Sequence, residues 1–365
     1  MHQTDMDYDS DQDSDIRSTT DFSGMSVSSK PTTVIDGSMR SASPAPSVLS
    51  FTSSFREHLF KEEYGRNLNA YSDVYKLPAD EEELTRLDEQ HNMLISVMGG
   101  KYVAPMYEVM VDDTPGEPKA VLDLGSGSGT WIMDVVRDWP NCTAVAVDLI
   151  PLQIPSEVDD INLGLEHFYG DFNVVHSRLI SYGIKDYHRL VDQISHVLRP
   201  RGLVFFMELD FHAYDEHDRK IEAASEFDYQ PPWWSCWFRL LRFAIQNNGG
   251  DVDAAPNIIK WVQDHPAFEE VVYKDFFLPI IPRPRNPERE TPAQAQFYQK
   301  VFNDLMAFHK SCRPLLLGSG IPEDMLDDLD RRCLQESAEG RIPQFTHIEC
   351  VWARKKANVD EEHTK

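Results

Sequence analysis

VLDLGSGSGTW, residues 121–131, runs from an apolar stretch through an acid, Asp123, into glycine at every second position: Gly125, Gly127 and Gly129. An apolar run that ends in a glycine turn just before a helical pattern reads as a strand, a tight turn and a helix N-terminus. Glycine accepts positive φ, and without a Cβ it lets a ligand lie against the backbone and the first helical turn. The motif therefore marks a nucleoside site, and its neighbours select the nucleoside. A phosphate-binding loop of the G-x-x-x-x-G-K-[ST] type needs a lysine that is not there. A dinucleotide fingerprint needs G-x-G-x-x-G, whereas Gly125 opens G-x-G-x-G and Thr130 takes the sixth place, which disfavours an NAD-dependent oxidoreductase. Asp123 would repel a pyrophosphate but suits a cationic ammonium or sulfonium. S-adenosylmethionine meets all three conditions: it carries adenosine, a positive sulfur and an amino-acid end, and no phosphate.

Outward from the loop, short apolar runs alternate with amphipathic segments, the pattern of a parallel sheet wrapped by helices. TWIMDVVRDWP reads as a helix stopped at Pro140, and TAVAVDL (143–149) as the next strand, carrying Asp148 19 residues beyond Gly129. That is close to the spacing of about 20 expected for an acid that accepts both ribose hydroxyls. FNVVHSR (172–178), LVFFMELDF (203–211), FEEVVYKDFFLPI (268–280) and FTHIECVWARK (345–355) read as further strands. Helices are expected at about 187–198, 237–248, 256–264, 292–313 and 322–337, and two more in SSFREHLFKEEYGRNLNAY (53–71) and PADEEELTRLDEQHNMLISVM (78–98). The fold class is thus α/β, a doubly wound and mostly parallel Rossmann-like sheet. Its expected parts are an acidic, Ser-rich disordered tail at 1–50, an N-terminal helical lid at 51–118, a main domain at 119–356 with helical insertions at about 211–265 and 290–340, and a tail at 357–365. Only ten residues separate Asp148 from Asp159, too few for a helical crossover. The third strand is expected as a stub at the sheet edge, unless a piece of chain is missing there.

With 61 acidic against 35 basic residues, a net charge of −26 excludes a general nucleic-acid or anionic-membrane surface. The five cysteines, at 142, 236, 312, 333 and 350, form no C-x-x-C pair and read as reduced thiols; no metal site is expected. No secretory signal or spanning segment is visible, so the cytoplasm or the nucleus is expected.

DLGSGSGTW, AVDLIP, VDDINLGLEHF, VVHSRLI and VLRPRGLVFFMELD together resemble the class I S-adenosylmethionine-dependent methyltransferases, and EEYGRNLNAY followed by LPADEEELTRLDEQH resembles the lid of the fungal LaeA-like group within them. The resemblance spans roughly 60–355. It implies cofactor contacts from Asp123, Gly125, Gly127 and Gly129, ribose contact from Asp148, and adenine contact from Asp160 with the backbone of Ile161. It further implies that Tyr64 and Arg66 close over the cofactor. Arg201 stands in a glycine place of the RPRG turn, with only local effect expected.

Methyl transfer from a sulfonium is a direct displacement, so positioning in a dry pocket can carry most of the rate. A base, if one is used, is expected at the carboxyl ends of the fourth and fifth strands, where His176, Glu208, Asp210 and His212 stand. Glu208 and Asp210 alternate on one strand and so share a face. In QPPWWSCWF, Trp233, Trp234 and Trp237 either wall an apolar acceptor or pack a core. The acceptor is left open as a small molecule or a protein, in fungal secondary metabolism or its regulation. A second reading is a non-catalytic regulatory scaffold that keeps the fold and binds protein partners.

Overall fold

The structure, a computed structural model, describes residues 59–111, 116–150, 156–222, 229–281 and 291–357. The expected tail at 1–50, and all but the first residue of the one at 357–365, lie outside these. Phe60–Glu63 (β1) and Arg66–Asn69 (β2) pair antiparallel, with Glu63 opposite Arg66. The turn between them, Tyr64-Gly65, has both residues at positive φ (52° and 72°). This corrects the first of the two expected lid helices. Two successive left-handed residues form a two-residue hairpin turn, and a right-handed helix cannot run through them.

Glu81–Met98 (α1) forms as expected, with Asp80 accepting from Glu83 N at its start and Gly99 at φ 76° at its end. Asp80 also receives Nε and Nη2 of Arg66 at 2.6 and 2.7 Å, tying the hairpin to the helix. Replacing Asp80 with alanine is expected to lower stability by about 1–2 kcal/mol, measured by urea unfolding, because it removes a cap and a partly buried ion pair together.

The chain continues through Met106–Val109 (α2), Ala120–Leu124 (β3), Thr130–Asp138 (α3), Thr143–Asp148 (β4), Glu157–Val158 (β5), Phe172–Arg178 (β6), Tyr187–Val197 (α4) and Leu198–Tyr214 (β7). It then forms Trp233–Asn247 (α5), Ala254–Asp264 (α6), Phe268–Pro279 (β8), Pro292–Ser311 (α7), Arg313–Gly318 (α8), Glu323–Glu339 (α9) and Phe345–Lys355 (β9). Seven strands make one sheet in the order β5-β4-β3-β6-β7-β9-β8, parallel except that β9 runs antiparallel to both its neighbours. The third strand, β5, is the two-residue stub, paired to β4 through Val147–Glu157 and Asp148–Val158. β7 runs on to Tyr214, so the first insertion starts later than 211.

The period of two along the strands divides the core. Leu122, Val175 and Phe206 face one side with Leu190 and Ile194 of α4, while Val121, Val174 and Phe205 face the other with Trp131 and Val135 of α3. Among the described residues, no helix is long and apolar enough to cross a membrane. From β3 the chain moves outward to β4 and β5 on one side, and to β6 and β7 on the other. The crevice beyond the carboxyl ends of β3 and β6 is therefore the topological switch point, where open α/β sheets bind ligands.

Candidate functional site

A cavity lies at this switch point, lined among others by Asp123, Gly125, Gly127, Asp148, Asp160, Ile161 and His176. The amides of Gly125 and Ser126 both donate to Val147 O, which folds the loop onto the end of β4. Asp148 clamps it further: Oδ2 accepts from Gly127 N at 2.8 Å and Oδ1 from Ile150 N at 3.3 Å. Burial pushes the Asp148 carboxyl up to about 6, against the pull of these amides. Asp160 caps the turn Ile161–Leu163 by accepting from Asn162 N at 3.0 Å. Gly129 takes φ 79° as the N-cap of α3 and stands outside the cavity lining.

The glycines prove necessary for a reason nearer than the ligand. At Gly125, φ 69°, a Cβ would sit 2.4 Å from Ile180 Cγ2; at Gly127, φ 58°, it would sit 3.0 Å from Leu87 Cδ1 of α1. Besides Leu87, the N-terminal segment contributes Tyr75 and Gln90 to the cavity. Tyr64 and Arg66, expected there, stand off it. Tyr64 is 55% exposed at the hairpin tip, and Arg66 is spent on Asp80.

His176 is buried, stacks on Trp131 with ring centroids 3.7 Å apart, and donates from Nδ1 to Asp123 at 2.7 Å. Burial lowers its pKa, so the imidazole is neutral and Nε2, which has no hydrogen-bond partner, carries a lone pair. Asp123 is thus shared between the cavity and His176. The residue that sequence reasoning missed is Arg178, a half-buried cation at the tip of β6 that lines the same cavity. It donates to His91 Nδ1 at 3.2 Å, and His91 Nε2 lies 3.2 Å from Asp134. The signal was available, since Arg178 ends the strand FNVVHSR and strand ends line such crevices.

A second cavity adjoins the first and shares Gln90, Leu179 and Tyr182 with it. Its wall is chiefly apolar, with Arg86, Asp304 and Glu208 as its charged members. Glu208 accepts from Ile180 N, Ser181 N and Tyr187 Oη at 3.0, 3.2 and 2.9 Å, and burial raises its carboxyl to about 7. Asp210 does not join it in this cavity. Its oxygens accept from His212 and Tyr214, Lys220 Nζ lies 3.0 Å away, and its carboxyl is held below the usual range by His212 once burial is overcome. Asp210 belongs instead to a buried group with His347 and Glu349, whose donor atoms lie within 4.8 Å of one another. His212 lines neither cavity. Sharing a face placed Glu208 and Asp210 alike, but two residues of strand rise separate them: Glu208 meets the Ile180–Ser181 turn, and Asp210 meets His212, Tyr214 and Lys220.

The tryptophans are core. Trp234 and Trp237 are fully buried in the cluster between α5, α7 and α9, where Trp234 Nε1 donates to Ser337 Oγ at 2.9 Å. Trp233 packs against Tyr229 and under the Arg332 guanidinium, 4.4 Å from its ring centroid. None of the three lines either cavity, which corrects their reading as an acceptor wall.

Sheet order, glycine crevice and flanking acids define a Rossmann-like methyltransferase-class α/β protein, and residues 103–246 match the family described as Methyltransferase domain. S-adenosylmethionine is the cofactor that this domain implies. The chain is 42% identical over 308 residues to the secondary metabolism regulator laeA of Coprinopsis cinerea, a match covering 82% of this chain and 75% of that protein. It belongs to the LaeA-like family. It is also 28% identical to methyltransferase pytC of Aspergillus terreus, over 66% of this chain and 71% of that one. Among solved structures, Haemonchus contortus phosphoethanolamine N-methyltransferase 2 with S-adenosyl-L-methionine aligns at a TM-score of 0.38 and 12% identity, covering 80% of this chain and 62% of that one.

Proposed function

We propose that this protein is an S-adenosylmethionine-dependent methyltransferase that modifies an acceptor held in the second cavity, within fungal secondary metabolism or its control. The observation that carries this reading is the pair of adjoining cavities: a polar crevice at the switch point, and an apolar chamber reached past Gln90, Leu179 and Tyr182. The residues suit the cofactor's parts. Asp148 has two of its roughly four lone-pair positions filled by amides, leaving acceptors for ribose hydroxyls. Asp123 would meet the ammonium and Arg178 the carboxylate of the amino-acid end, with Asp160 and Ile161 at the adenine. When bound, the sulfonium supplies an electrophilic methyl group. The chain's own part is to hold the acceptor in line, to keep water out with the α1 segment, and to receive a proton if the acceptor releases one.

Calorimetric titration with S-adenosylmethionine and with NAD tests the reading: heat with the first alone supports it, and heat with NAD alone sinks it. Affinity for S-adenosylmethionine is further expected to drop about tenfold between pH 7 and pH 5. A ribose-accepting Asp148 must be ionised, and a carboxyl titrating at about 6 is roughly nine-tenths ionised at the higher pH and one-tenth at the lower. The scaffold reading draws on the regulator named among the relatives. It predicts that a variant which abolishes S-adenosylmethionine binding but keeps the wild-type melting temperature leaves a cellular phenotype intact, whereas an enzyme loses it.

A further inference from the structure

Deep in the second cavity, one acid and one base face each other without touching. Arg86, its side chain 4% exposed, gives Nε and Nη2 to Glu83 at 2.6–3.0 Å, while its Nη1 has no hydrogen-bond partner. Asp304 takes Gln90 Nε2 on Oδ2 at 3.3 Å, and its Oδ1 likewise has none. Nη1 and Oδ1 lie 3.7 Å apart, beyond hydrogen-bond reach. That separation would let one oxygen bond both at about 2.8–3.0 Å, once a neighbouring side chain shifts, since each atom is sealed from a water-sized sphere.

We infer that the second cavity binds an apolar small molecule bearing a hydroxyl, a phenol in the simplest case, with that oxygen lodged between Arg86 Nη1 and Asp304 Oδ1. The inference rests on the methyltransferase reading for its meaning, since it names the acceptor class. Three considerations select a hydroxyl. The site offers one donor and one acceptor to the same point, and a hydroxyl both gives and takes through a single atom. A carboxylate would meet Asp304 and the nearby Glu208, while an ammonium, which only donates, would leave Arg86 Nη1 without an acceptor. Most of the rest of the wall, including Met93, Phe211, Leu305 and Phe308, is apolar, with Gln90, Tyr182, Glu208 and Thr346 as its polar members, so the remainder of the molecule is chiefly apolar.

The test is binding by the full chain at pH 7.5, above the value of about 6 to which burial pushes Asp304, with S-adenosylhomocysteine titrated into a parallel sample. The probes are 2-naphthol and 2-methoxynaphthalene, which match in ring and differ in the hydroxyl. The expected result is at least tenfold tighter binding of 2-naphthol, with the difference erased in Asp304→Ala while affinity for S-adenosylhomocysteine is unchanged. Equal affinity for the two probes overturns the inference, as it would if a water filled the gap, and so does failure of 2-naphthol to bind. N-acetyltyrosinamide, whose amides would have to enter the apolar chamber, is expected to bind more weakly than 2-naphthol; equal binding overturns the small-molecule assignment. Should Asp304→Ala fail to fold, the wild-type comparison decides alone. Binding of 2-naphthol without S-adenosylhomocysteine counts against the methyltransferase reading and leaves this one standing; the reverse result does the opposite.

Discussion

Replacing Asp148 with alanine is expected to weaken S-adenosylmethionine binding about a hundredfold, the largest loss for any single side chain in the crevice. Two costs combine. The ribose loses its acceptor, and the Gly127 amide, now held at 2.8 Å by the carboxylate, is left without a partner inside the loop that must meet the ligand. A hydrogen bond to a charged group contributes about 1.5–3 kcal/mol, and an orphaned buried amide costs a comparable amount. About 3 kcal/mol of the sum appearing in binding gives the hundredfold change. Calorimetry on wild type and variant measures it, with Tyr64→Ala as the contrast: that ring stands on an exposed hairpin tip and its loss should leave affinity within about twofold. A variant Asp148→Ala that binds like wild type would remove Asp148 from the site.

The second large effect is on stability. Glu83 lies in the first turn of α1 with its side chain 2% exposed, where both oxygens hold Arg86 and Oε2 also accepts from Ser311 Oγ of α7 at 2.5 Å. Glu83→Ala removes the partner of a buried guanidinium and cuts the polar tie between α1 and α7. Breaking one side of a buried ion pair costs about 3–5 kcal/mol, because the surviving charge stays in a poor solvent. Urea unfolding should show a loss of this size at neutral pH. A loss under about 1 kcal/mol would mean that Asp304, 3.7 Å from Arg86, takes over the charge. Because α1 also carries Leu87 and Gln90 into the crevice, a loosened α1 should weaken cofactor binding as well.

The sheet was legible because its central strands are buried on both faces and so read as unbroken apolar runs, with glycine and proline marking their ends. The crevice was legible because a doubly wound sheet leaves one switch point, and the loop with its flanking acids, Asp123 and Asp148, falls on it. The hairpin was not, since apolar residues in 53–71 recur at intervals that mimic a helix, and the left-handed Tyr64-Gly65 turn declares itself only through its backbone. Neither was the second cavity: Arg86 and Asp304 are far apart in the chain, each alone reads as an exposed helical charge, and only the packing of α1 on α7 brings them together. Trp234 and Trp237 show an ambiguity of another kind: aromatic density in QPPWWSCWF fits an acceptor wall and a core equally, and only their burial between helices decides for the core.

The most direct measurement is a crystal structure of the protein with S-adenosylhomocysteine. The ribose hydroxyls are expected on Asp148 and the amino-acid end between Asp123 and Arg178. A ligand lodged elsewhere, with Asp148 keeping only the amides of Gly127 and Ile150, would contradict it.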